Sequence, residues 1–254
     1  RKAADGSWLE LEERAPDLGL VFRQRWVTSG RFGLVRRCVL EGDAADVELL
    51  DGLLNLMPAD VPLRAQEALS ALVDAYKRSE LLPGDVGLYA MDAHLSDQAA
   101  PAEANRANVV WRRGLPAATT ILSAEAVEDR RAGRPSTGRS LWFGQGGAYL
   151  VRATVSPAEG PVTWDLVGEV HLDHVALVGL LRTLEATSDL GAALDADIAA
   201  GAAAFRANIA SADGLQHSAD RAVTVHHFAN VVFNNMRGGV FAHDHRVPRS
   251  DLRS

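Results

Sequence analysis

Histidines form the densest group of possible metal ligands in this chain: His226-His227, then His243-Asp244-His245. Imidazole and carboxylate together are a ligand set for zinc and related transition metals. Adjacent residues on a helix point about 100° apart, given ~3.6 residues per turn, so His226 and His227 do not easily share one ion. His243 and His245 on an extended segment, with Asp244 between them, could. The alternative is that one of the helical pair is a hydrogen-bonded core residue and 243–245 is surface. A second group is acidic: Asp92, Asp97 and Glu103, within sequence reach of Arg106 and Arg112. Two carboxylates across a cleft are the acid and base of glycoside hydrolysis. Without a cleft, such residues cap turns and pair with arginine.

Other patterns lead away from chemistry. Gly144-Gln145-Gly146-Gly147 lacks the Lys-Ser/Thr ending of a P-loop and precedes a strand, whereas anion-binding glycine loops open a helix; a hairpin turn or bulge is expected. No Gly-x-Ser-x-Gly elbow supports a Ser-His-Asp triad. Cys38 lies mid-strand between Arg37 and Val39, which predicts a buried, inert thiol. Trp8, Trp26, Trp111, Trp142 and Trp164 offer apolar ring faces suited to pyranose C–H groups, with Trp111 and Trp142 the candidates for substrate binding; the competing expectation for any of them is core packing. No catalytic residue is assigned, no cofactor is called for, and a metal enters only through the alternative at 243–245.

The elements that would position these residues fall into two blocks. Trp8–Glu13, Leu18–Val27 and Phe32–Leu40 alternate like strands, with turn material between them. Val47 to Met57 reads as a strand or an irregular apolar segment, and Leu63 to Ser79 has the apolar spacing of a helix. Asp85–His94, Asn108–Arg112 and Thr119–Leu122 return to strand, followed by a short helix, Ala124 to Arg131, with Ser123 at its start. Gly147–Val155 and Val162–Val170 are joined by a Pro- and Gly-containing turn. Beyond His171 the pattern becomes helical: Asp173 caps a helix to about Ala186, an alanine-rich helix runs from Leu190 to about Ile209 and stops at Asp213-Gly214, and a third spans Val223 to Met236. Strands linked by short turns favour an antiparallel sheet. The expectation is an α+β chain: a large antiparallel β-sandwich over residues 1–170, then a small set of α-helices over 171–254.

Composition narrows the partners. The 254 residues carry 26 Lys and Arg against 33 Asp and Glu, a formal charge of −7, and no basic stripe of the kind nucleic-acid binding requires. The densest basic stretch, Arg130 to Arg139, is interrupted by Gly133, Pro135 and Gly138 and reads as a solvated loop. One cysteine permits no intrachain disulfide and suits a reducing compartment such as the cytoplasm. No apolar run approaches the ~20 residues that span a bilayer, so no membrane partner is expected. Arginine outnumbers lysine heavily, which with the many alanines points to a GC-rich bacterial genome. Strand pattern begins almost at residue 8 and motif-rich sequence persists to Phe241, so the chain is expected to be a piece of a longer protein.

Several segments, in consistent order, resemble one family. Val47-Glu48-Leu49-Leu50-Asp51-Gly52-Leu53-Leu54-Asn55-Leu56-Met57-Pro58 is similar to part of the N-terminal sandwich of large bacterial proteins related to the cellobiose-phosphorylase group. So are Ser96 to Glu103 followed by Val110-Trp111, Ala212-Asp213-Gly214-Leu215-Gln216, and Phe233-Asn234-Asn235-Met236-Arg237-Gly238-Gly239. Ala242 to Val247 departs from that pattern. The resemblance implies a sandwich and linker helices leading to a C-terminal (α/α)-barrel that carries the catalytic carboxylates. It further implies an oligosaccharide substrate cleaved by phosphate or by water, and a possible homodimer. A stand-alone carbohydrate-binding module and a small His/Asp metal-dependent enzyme are the alternatives.

Overall fold

The computed structural model describes the chain except residues 4, 62, 94–104, 136–137, 145 and 239–254. In order, the elements are β1 (Trp8–Ala15), β2 (Leu20–Ser29), β3 (Gly33–Gly42), β4 (Val47–Leu54), α1 (Leu63–Ala68), α2 (Ser70–Ala75), β5 (Lys77–Leu82), β6 (Val86–Met91), β7 (Arg106–Arg113), β8 (Thr119–Ser123), α3 (Glu125–Arg131), β9 (Leu141–Phe143), β10 (Gly147–Val155), β11 (Val162–Asp173), α4 (His174–Ala186), α5 (Leu190–Ser211) and α6 (Arg221–Gly238). They form an eight-stranded sheet, β1-β2-β3-β11-β7-β6-β5-β9, and a three-stranded sheet, β4-β10-β8. Every strand pair is antiparallel, as the short connections predict. The α+β expectation holds.

Alternation along each strand assigns its side chains to two environments. On β3, β7 and β11, Cys38, Leu40, Val110, Trp164 and Leu166 pack toward the small sheet, meeting Tyr149 and Val151 of β10 and Leu122 of β8. The intervening residues Val35, Val109, Trp111 and Val167 belong to a second core, with Leu177, Leu180, Leu181 and Leu184 of α4 and Leu194 and Ile198 of α5. A third cluster, Ile121, Ala148 and Leu150 under Ala126 and Val127, sets α3 on the outer face of the small sheet. The layers are therefore α3, small sheet, large sheet, and α4 with α5. Side chains from Leu172 to Ile198 share a core with the large sheet.

The helices start where their caps allow. The Asp173 carboxylate accepts the Ala176 N–H at 2.8 Å and the Asp189 carboxylate accepts the Ala192 N–H at 2.9 Å. At the end of α5, Asp213 takes a positive φ of 63° and the Gly214 N–H bonds to the Ile209 carbonyl at 2.8 Å, the stop expected there. Helix α6 then rests on α5, with the Phe205 and Phe228 rings edge to face at 6.4 Å.

Two differences from the sequence reading have physical causes. The helical spacing over Leu63–Ser79 resolves into two short helices, and the chain already enters strand β5 at Lys77. Strand β11 continues to Asp173, past a register shift between Glu169 and Leu172 where His171 has φ 58°. The Asn108 side chain stabilises that bulge, accepting the His171 N–H at 2.9 Å and donating to the Met57 carbonyl at 2.9 Å.

Candidate functional site

Placing the five tryptophans sorts them. Trp164 is enclosed between the sheets, where its indole N–H donates to Asp51 at 2.7 Å and its ring stacks on Phe22 at 5.9 Å. Trp111 is 1% exposed and meets Phe32 edge to face at 5.9 Å under α4 and α5. A ring so enclosed has no face left for a sugar, so Trp111 is a core residue here. Trp142 lies on β9, half-buried against the inter-sheet core, with the Arg139 guanidinium 5.3 Å from its ring centre. Trp111 and Trp142 thus lie in different clusters and share no surface.

Trp8 and Trp26 are neighbours on β1 and β2. They line a groove of about 430 Å³ between the β1–β3 end of the large sheet and α5, whose wall is Ile198, Gly201, Ala202 and Phe205. The β1–β2 register, Trp8 opposite Val27 and Leu9 opposite Trp26, sends the two indoles to opposite faces of the sheet, Trp8 to the α5 side with Val27 and Trp26 to the side of Arg36, whose guanidinium lies 5.9 Å from its ring centre. The small residues Gly201 and Ala202 keep the helix surface low, and a Cβ built at Gly201 would meet nothing within 4 Å. The Arg25 guanidinium lies 4.7 Å from the Trp8 ring centre and is itself held by Glu10 at 2.6 Å. Trp8 and Phe205 give the groove aromatic lining, and small-molecule sites commonly combine such apolar surface with a few polar groups.

The position of α5 sets the width of that groove, and acidic residues anchor it. Asp197 accepts the Arg31 N–H at 3.0 Å and the Ser29 hydroxyl, while Ser29 Oγ accepts the Phe32 N–H at 3.0 Å. The Ser29 hydrogen bond, then the Arg31 N–H, hold the Asp197 carboxyl below the ordinary carboxylate range. Asp195 pairs with Arg37 at 2.6 Å. Beneath it Asp165, 1% exposed, accepts from Arg37 at 2.8 Å and Arg113 at 3.0 Å. The β2–β3 turn and the sheet centre therefore both grip one helix.

The remaining candidates are placed as follows. Asp92 faces Arg78 at 3.8 Å and shares that guanidinium with Glu80, at a cleft also lined by Arg106, Asp173 and His174. Asp97 and Glu103 lie outside the described residues. Arg112 is directed elsewhere, bonded to Asp85 at 2.6 Å and to the Leu115 carbonyl at 2.7 Å. His227 Nε2 meets the Asp213 carbonyl at 2.7 Å, a bond between α6 and the turn before it. His243, Asp244 and His245 lie outside the described residues, and among the described ones no three His, Cys, Asp or Glu side chains gather as a metal would need. Cys38 is buried in the inter-sheet core, and burial, then the nearby Asp51 charge, push its thiol pKa well up. Gly144 and Gly146, both with positive φ, belong to the crossing from β9 in the large sheet to β10 in the small one; a hairpin would pair two neighbouring strands. The glycine segment is followed by the β10 register shift between Gly147 and Leu150.

Sequence reasoning missed the groove because Phe205 stands far along the chain from Trp8 and Trp26. The one local signal was the small-residue run Gly201-Ala202 in an otherwise apolar helix. No protein-family model matches the chain, and no curated protein matches it.

Proposed function

We propose that this chain is the non-catalytic β-sandwich and linker-helix part of a carbohydrate-active enzyme, a glycoside phosphorylase or hydrolase acting on oligosaccharides. In this reading it shapes one wall of the sugar cleft and contributes subunit contacts, while a C-terminal (α/α)-barrel carries the catalytic carboxylates. The observation that carries the reading is the helical block after the sandwich. Helix α6 leaves Val223, Val225, Phe233 and Met236 at 55, 46, 52 and 76% exposure, an apolar surface suited to a further domain. The family resemblance of Val47–Pro58 and of Phe233–Gly239 supports the same order. The test is turnover: the 254-residue chain alone should neither hydrolyse nor phosphorolyse cello-oligosaccharides, whereas the intact protein from its host should do one or the other. Turnover by the chain alone would sink the proposal.

The groove lined by Trp8 and Phe205 favours a second reading, a carbohydrate-binding module. It predicts glycan affinity that Trp8→Ala abolishes and Trp142→Ala leaves intact. Glycan binding indifferent to Trp8 would refute it.

A further inference from the structure

The two sheets are unequal, and the inequality leaves one flank of the sandwich open. Among the described residues the small sheet has three strands against eight, and β4 is one of its edges. Strand β4 lies opposite β3 and β11: Arg36 of β3 reaches across to the Asp51 carboxylate at 2.8 Å, and the Trp164 indole of β11 donates to it at 2.7 Å. Strands β2 and β1 therefore extend past β4 by two strand spacings, about 10 Å. The β1–β2 and β2–β3 registers place Leu9 and Leu11 of β1, Gln24 and Trp26 of β2 and Leu34 of β3 on the side of this overhang that faces the small sheet. Leu20 and Phe22, at the start of β2, reach the inter-sheet core, but Leu9, Leu11 and Leu34 are each about half exposed. Beside them β4 pairs with β10 alone and carries neither proline nor lysine. Arg36 Nη1 approaches the Gly52 carbonyl at 3.4 Å, a long contact at one point of that edge.

We propose that this flank receives an extended polypeptide strand, which pairs with the free edge of β4 and lays alternate apolar side chains against Leu34, Trp26 and the two leucines of β1. A strand edge supplies unpaired backbone groups and the overhang supplies an apolar roof, the two halves of β-strand addition. The space beyond β4 is one or two strands wide. A second copy joined β4 to β4 would need that space for its own β3 and β2, so two sandwiches do not meet along this edge. The half-exposed leucines are also too few for a face between folded proteins, which takes roughly 20–30 residues a side, and match what a single strand covers. Glu13 is exposed on the same face as Leu9 and Leu11 and has no ion-pair partner among the described residues, which favours a basic residue at one end of the incoming strand. Leu9 and Leu34 also reach the groove beside α5, but Trp8 projects from the opposite face of the sheet, and the strand site depends on neither reading of function.

Fluorescence anisotropy on the 254-residue chain tests this with two labelled peptides of one composition, Thr-Val-Thr-Val-Thr-Val-Thr-Lys and an isomer with its valines contiguous. The alternating peptide should bind at least tenfold more tightly than the isomer, and its binding should slow hydrogen exchange at the β4 amides. Leu9→Gln with Leu11→Gln, a change at the surface, should weaken it at least tenfold, while Trp8→Ala leaves it unchanged. Glu13→Lys should weaken it and should tighten the same peptide ending in glutamate, a gain that misfolding cannot imitate. Equal binding of the two isomers, no binding by the alternating peptide, or affinity indifferent to Leu9 and Leu11 would each overturn the assignment. So would sedimentation of the chain as a dimer that the double leucine variant converts to a monomer, since a second copy would then be the occupant.

Discussion

Replacing Asp165 by Asn isolates the grip of the sheet on α5. The side chain keeps its size and one acceptor, while two guanidinium groups lose their shared counter-charge. Removing one partner of a fully buried pair costs about 3–5 kcal/mol because a buried charge is left unpaired. Arg37 and Arg113 are 30% and 39% exposed, so water screens them in part, and Arg37 keeps Asp195. The expected loss is therefore about 2 kcal/mol, below the buried-pair range. For a domain of this size it corresponds to a fall in Tm of roughly 4–8 °C. Urea unfolding with an unchanged slope would measure it. Asp195→Asn is the matched control: Asp195 is 57% exposed, and its loss should cost under about 1 kcal/mol. If Asp165→Asn is neutral within about half a kcal/mol, or Asp195→Asn costs as much, the buried triad does not anchor the helix.

Acid should loosen the same helix at a second anchor. The folded-state pKa of Asp197 is lowered, so its contribution is complete above the unfolded value and is lost as pH falls through the folded one. Stability measured from pH 5 down to pH 2 should fall less steeply in Asp197→Asn than in the parent; parallel curves would contradict this. Gly214→Ala would put a Cβ 2.4 Å from Ile209 Cγ2 and 2.8 Å from Val231 Cγ1, so α6 should separate from α5 and its amides should exchange faster, while the β11 amides stay protected. Uniform exchange rates would exclude local detachment. Cys38 should resist a thiol reagent in the native protein and react once denaturant separates the sheets, making labelling kinetics a readout of sandwich opening. Rapid native labelling would be inconsistent with a closed inter-sheet core. At Gly52 a Cβ would lie 2.1 Å from the Tyr149 carbonyl oxygen, so Gly52→Ala should destabilise by more than about 1 kcal/mol in the same urea assay.

Much of the sheet was legible because alternation survives wherever one face is dry and the other wet. Trp8-Leu9-Glu10-Leu11-Glu12 alternates for another reason: Glu10 and Glu12 form a charge ladder with Arg25 and Arg23 on one face, while Leu9 and Leu11, half exposed, lie on the other. Strand β5 defeated that logic. Lys77 and Ser79 are its buried residues, Lys77 neutralised by Asp74 at 2.7 Å, so the polar positions point inward and the preceding helical spacing runs on into the strand. Trp111 was ambiguous for a different reason. Both faces of β7 are covered, by the small sheet and by α4 with α5, so Val109, Val110 and Trp111 are all buried and periodicity cannot say which way each points. The bulge at His171 ended the alternation of β11 early, and β9, three residues long, offers too few positions for any period. The groove beside α5 depends on residues brought together from the sheet and that helix.

The place of β11 in the large sheet also governs how this protein can be made. Among the described residues it is the last strand in sequence, yet it lies between β3 and β7, joining the β1–β2–β3 meander to the β7–β6–β5 meander. Until Val162–Gly168 has left the ribosome, each meander presents an open edge of unpaired backbone groups, and the surface that receives α4 and α5 is split in two. Such edges pair readily with other chains. Synthesis that stalls before residue 168 leaves two half-sheets with matching edges, so the order of strands makes the timing of translation part of this protein's solubility.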